Sequence, residues 1–190
     1  MKVHVKHSLK ADVATVFKLC TEQKSQEAVY AGLGGSDVKI KREGRSPNVK
    51  LRISRREPAN PPAAIRRIVP SVNEVSHTEN WSADGDGHLA DIVVEIKGVP
   101  VKIVGTKSLQ PEKGGCGVEW RFDVSCGIPL LGGLIAAFAG GETAEKLERV
   151  IVQIRAKGAK RFAGSIGIHA RLLINPLCRE KSRQVPGLAI

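Results

Sequence analysis

Aromatic side chains make up only 4% of this 190-residue chain. Each of Trp81, Trp120, Phe17, Phe122 and Phe138 is therefore expected to matter to packing or to a pocket. Cysteine is equally sparse. Cys20, Cys116, Cys126 and Cys178 form no CxxC pair and no zinc-ligand spacing, which argues against a structural zinc site. With no signal-peptide pattern at the N-terminus, a reduced, cytoplasmic protein is expected. Long apolar runs are missing too: the longest, 127–141, has about 15 residues where a membrane-spanning helix needs about 20. No P-loop or nucleophile elbow occurs. Asp84-x-Asp86 imitates a calcium loop but has Leu89 where glycine is required, and Gly32-Leu-Gly-Gly35 follows a helix instead of a strand. Neither a metal nor a cofactor is expected.

What is present is an ordinary globular composition, 42% hydrophobic and 26% charged, in a chain long enough to bury a core. The formal charge of +11 is unevenly distributed. Segment 39–67 holds ten basic residues against Glu43 and Glu57, and segment 153–190 holds eight against Glu180. Between them, segment 68–148 has six basic residues and twelve acidic ones. Two basic regions flank an acidic middle, and basic regions favour anionic partners such as nucleic acid or an acidic membrane surface.

Periodicity supplies the element order. Val118, Trp120, Phe122 and Val124 alternate with Glu119, Arg121 and Asp123, the pattern of a half-buried strand. From Leu134 to Ile154 the period becomes helical, with Leu134, Phe138, Gly141, Ala144, Leu147, Ile151 and Ile154 on one stripe. Upstream, a first strand around residues 2–9 leads into a helix carrying Val16 and Phe17, then a second short helix closed by glycines. Alternation returns at 38–41 and 49–53, and a proline loop at 58–62 precedes a single helical turn or edge segment. Strands are predicted at about 73–81, 89–97 and 101–109, the first two joined at Asp84–Gly87. Beyond about residue 157 no periodicity persists, so a domain over 1–157 and a basic extension over 158–190 are expected, with a weak helical patch at 166–174.

Two constellations stand out. On the strand at 73–81, Val75, His77, Glu79 and Trp81 share the face expected to meet the helix, while Glu74, Ser76, Thr78 and Asn80 face water. Buried charge is costly unless paired. His77 and Glu79 are thus a mutually satisfied structural pair, polar anchors for a ligand, or an acid–base pair. On the hairpin at 38–53, Lys39, Lys41, Lys50 and Arg52 form a cationic stripe that Arg55, Arg56, Arg66 and Arg67 extend. No aromatic residues interleave with it to stack bases, which argues against nucleic acid as a partner and makes a solvated outer face the simpler reading.

The ordered pieces Val16-Phe17, Tyr30-Ala-Gly-Leu-Gly34, Val69-Pro70, Thr78-Glu-Asn-Trp81, Gly98-Val-Pro-Val101 with Gly105-Thr106, and Ile128-Pro-Leu-Leu-Gly-Gly133 resemble the START-like (SRPBCC, helix-grip) superfamily. Within it they are most similar to a bacterial family of domains of unknown function (2505). The resemblance covers about residues 1–155 and departs from the family at Ala136, where an acidic residue is expected. It implies an α+β helix-grip fold: a curved antiparallel sheet of about seven strands around a long C-terminal helix, with two short helices after strand one. It also implies a small hydrophobic or lipid-like ligand in the hollow between sheet and helix. Parity then nominates Ile92, Val94, Val101, Ile103, Trp120, Phe122, Leu134 and Phe138 as lining, with His77, Glu79 and Trp81 beside them. The alternatives are a cyclase- or hydrolase-type enzyme using His77 and Glu79, or a basic module docking on an anionic surface through Lys39, Lys41, Lys50 and Arg52.

Overall fold

The computed structural model describes residues 1–165. Seven strands form a single antiparallel sheet in the order β1-β7-β6-β5-β4-β3-β2. They are β1 (Lys2–Leu9), β2 (Ser36–Arg45), β3 (Asn48–Pro58), β4 (Val72–Asp84), β5 (Gly87–Ile96), β6 (Val99–Glu112) and β7 (Gly115–Cys126). Every neighbouring pair is antiparallel, and from β2 to β7 each strand pairs with the next in the chain. Only β1 pairs at long range, beside β7, with Val5 opposite Trp120.

Two short helices follow β1: α1 (Val13–Thr21) and α2 (Gln23–Gly32). Asp12 caps α1, accepting a hydrogen bond from the Thr15 backbone N–H at 2.7 Å. The proline loop leads into one 3-10 turn, Ala63–Ile65, so the helical-turn option holds there. The long helix α3 spans Gly132–Ser165 and runs on through residue 157. The helical patch expected at 166–174 and the rest of the basic extension lie outside the described residues. Among the described residues no helix is long and apolar enough to cross a membrane.

The sheet curves so that one face wraps α3, and the side chains of that face build the core. On β7, Val118, Trp120, Phe122 and Val124 are all buried, as alternation requires. The phase of α3 differs from the sequence expectation in its first turns. Ile135 and Ala139 are buried there, whereas Leu134 is 43% exposed and Gly141 faces solvent. Residues 134–139 are all apolar, so periodicity alone could not choose between adjacent faces. Further along, Leu147, Ile151 and Ile154 do pack inward.

Candidate functional site

Register turns the concave face into rows of side chains running across the strands. One row carries Ile53, His77, Val94, Ile103 and Val124. Its neighbour on one side carries Leu51, Glu79, Ile92, Gly105 and Phe122, and beyond that lie Val49, Trp81, Ala90, Lys107 and Trp120. On the other side Arg55 stands opposite Val75, and Glu57 opposite Asn73. Gly105 is needed where it is: a Cβ there would lie 1.9 Å from the Arg121 carbonyl oxygen and 2.7 Å from the Phe122 ring.

The row bearing Trp81 and Lys107 is packed shut under α1. Lys107 is buried with its ammonium 5.2 Å from the Trp81 ring and 5.4 Å from the Trp120 ring, across the small Ala90. Phe17 of α1 meets Trp81 edge-on at 5.4 Å. Glu79 accepts a 2.8 Å hydrogen bond from the Trp81 indole. Burial acts to raise the pKa of Glu79, but the charge of Lys107, helped by His77 and the indole, prevails and holds it at about 2. Burial likewise pushes the Cys20 thiol up, so it stays protonated.

His77 stands at the border. Its Nδ1 shares a 3.0 Å hydrogen bond with the Tyr30 hydroxyl, and its Nε2 lies 3.2 Å from Glu79 Oε1, near enough for attraction but out of line for a hydrogen bond. Both ring nitrogens therefore face protein groups. Burial raises the Tyr30 phenol to about 12 despite the nearby Arg55 charge.

Past His77 the packing opens. A cavity of about 120 Å³ lies between β3–β7, α2 and α3. Of the residues nominated from sequence, His77, Val94, Val101, Ile103, Phe122 and Phe138 line it. Glu79, Trp81, Ile92 and Trp120 are buried but off its wall, and Leu134 lies on the outer side of α3 with Ile135 on the wall instead. At the polar end stand residues that the sequence reading missed or misplaced: Tyr30, Arg55, Glu57, Asn73 and Lys146. Arg55 does not extend the outer cationic stripe. It points inward, 8% exposed, because β3 keeps its period of two from Val49 through Glu57. That alternation was the available signal.

Ion pairs tie the polar end together. Arg55 Nε donates to Glu57 Oε1 at 2.5 Å, and the guanidinium lies 4.3 Å from the Tyr30 ring centre. Lys146 Nζ of α3 reaches Glu57 Oε2 at 2.8 Å and Glu142 at 3.7 Å. Burial tends to raise the pKa of Glu57, yet Arg55 and Lys146 together hold it below the usual carboxylate range. Leu33, Glu57, Ala59, Glu142 and Lys146 line both the cavity and a cleft on the surface, which makes this the mouth. Lys39, Lys41, Lys50 and Arg52 lie on the β2–β3 hairpin away from the cavity wall, where Glu43 pairs with Lys41 at 3.0 Å and Arg52 at 2.8 Å. Among the described residues no three His, Cys, Asp or Glu side chains converge as a metal site would require.

A family model described as "Protein of unknown function (DUF2505)" matches residues 4–154. No curated protein matches the sequence. Among solved structures, the protein TTHA0849 from Thermus thermophilus superposes with a TM-score of 0.61 at 15% identity, covering 85% of this chain and 99% of that one. A STAR-related lipid transfer protein from Xanthomonas axonopodis gives 0.56 at 13% identity, covering 82% and 84%. Ara h 8.0201 gives 0.53 at 12% identity, covering 84% and 98%. At such identities the likeness is one of fold, and the fold is START-like, as the element order implied.

Proposed function

The chain belongs to the DUF2505 family of proteins of unknown function, and from its fold and its cavity we propose that it binds a small hydrophobic molecule between sheet and helix. The observation that carries this reading is the cavity itself: walls of Val94, Val101, Ile103, Phe122, Ile135 and Phe138, with polar groups gathered at one end. A lipid-transfer protein among the fold neighbours supports the same class of ligand.

Size narrows the class. The cavity of about 120 Å³ is close to the roughly 150 Å³ apolar cavity known to hold benzene, and well under the roughly 300 Å³ at which drug-sized sites begin. A single ring or a short chain fits as the structure stands, and a long acyl chain requires α3 to move. Acid–base catalysis by His77 and Glu79 is disfavoured, because both imidazole nitrogens are turned to Tyr30 and Glu79 and Glu79 is off the cavity wall.

A methyl-resolved NMR titration with toluene tests the reading. The expected result is saturable shifts at Val94, Val101 and Ile103 with none at Val118, and their loss in Ala139→Phe, which fills the cavity from α3. Shifts confined to the surface, or none, would overturn it.

A further inference from the structure

We propose that the ligand is an organic acid whose carboxylate is held at the polar end of the cavity by Arg55, with Asn73 and Lys146 completing its surroundings. The proposal rests on the reading of the cavity as a ligand site and specifies what that site recognises.

Three observations lead there. First, the guanidinium of Arg55 is buried and only partly used. Its Nε serves Glu57, while its Nη1 is buried and donates to nothing. A buried donor without a partner is costly, so the site is built to be completed by an acceptor. Second, Oδ1 of Asn73, across the sheet from Glu57, is buried and accepts nothing. An amide that no hydrogen bond fixes can turn over, which brings its NH2 to the same place and gives a carboxylate a second donor.

Third, Arg55 is the more deeply buried of the two cations at this end. Glu57 is one carboxylate between two cations, Arg55 on its own strand and Lys146 on α3. Glu142, the next carboxylate, is 3.7 Å from Lys146, and the two stand at the mouth, equally exposed. The four charges balance in number, so an anion is drawn here by the free Nη1 donor of Arg55 and not by a net charge. A planar carboxylate also matches the flat guanidinium, and charge-assisted hydrogen bonds are about twice as strong as neutral ones. The apolar walls beyond leave room for a ring or short chain and nothing to solvate a second charge.

Isothermal titration calorimetry at neutral pH with benzoate, benzamide and toluene separates the terms, since the three share one ring and differ in the head. Benzoate is expected to bind about tenfold tighter than benzamide, a difference of about 1.4 kcal/mol. Asn73→Asp faces the head with a like charge and is expected to reverse that preference. Arg55→Gln is expected to abolish it; should that variant fail to fold, the wild-type ratio and Asn73→Asp still decide. Benzamide or toluene binding as tightly as benzoate would overturn the acid while leaving the cavity reading intact. A preference that persists in Asn73→Asp would place the carboxylate elsewhere and overturn it too. No binding of any of the three would overturn both readings.

Discussion

The two ends of the concave face carry the same kind of residue and treat it differently. Under α1, Lys107 and Glu79 are enclosed by Trp81, Trp120 and Phe17, off the wall of the cavity. Toward the β3 and β4 ends, Arg55, Glu57 and Asn73 are just as inward, yet they abut empty space and leave one donor and one acceptor unmatched. His77 and Tyr30 mark the border between the two. Inward charge alone is thus no sign of a site. What distinguishes a site is charge that the protein has left incompletely paired beside room for something else.

The most forceful way to break this comparison is at the packed end. Lys107→Met leaves Glu79 buried without its cation and is expected to cost about 3–5 kcal/mol in urea unfolding. A loss under about 1 kcal/mol would mean that the packed charges carry little stability. Acid provides the second test. Glu79 is held at about 2 in the folded chain against 4.5 for the free group, so its contribution is complete above pH 4.5 and drains away as pH falls toward 2. That window is worth on the order of 3 kcal/mol, and Glu57, also held low, adds to it in the same direction. The urea midpoint should fall across the window in the wild type and more gently in Glu79→Gln; equal slopes would contradict the assignment.

The smallest effect concerns the helix over the cavity. Gly133 and Gly141 lie on the solvent side of α3, and a Cβ on either meets nothing within 4 Å. Gly133→Ala and Gly141→Ala are each expected to stabilise the fold by about 0.5–1 kcal/mol, read as a rise in melting temperature. If they destabilise instead, these glycines serve a backbone geometry other than plain helix.

Parity carried much of this into view from residues alone. The alternation Val75-x-His77-x-Glu79-x-Trp81 put an ionisable pair on the inner face, and the change of period at Leu134 announced the gripping helix. The same rule applied one strand earlier, through Val49, Leu51 and Ile53, reaches Arg55 and Glu57, but arginine beside Arg56 reads as one surface run. Lys107 hides in the same way, on the parity of Val101, Ile103 and Leu109. Which charge meets which partner was not legible, because it depends on register. Lys107 reaches Trp81 only because Ala90 lies between them, and Glu57 meets Lys146 across 89 positions of chain. Nor could six consecutive apolar residues at the start of α3 show which of them faced inward.

The position of β2 at the margin of the sheet gives the cationic hairpin another meaning. A marginal strand offers an unpaired row of N–H and C=O groups to any strand that comes alongside, and a second copy of the protein is the commonest candidate. Along β2 such a visitor meets Lys39, Lys41, Arg42 and Arg45, and at the opposite margin β1 presents Lys2 and Lys6. Copies approaching edge to edge bring lysine against lysine. The side chains that look made for anions are thereby also a like-charge barrier to a second sheet edge of the same kind.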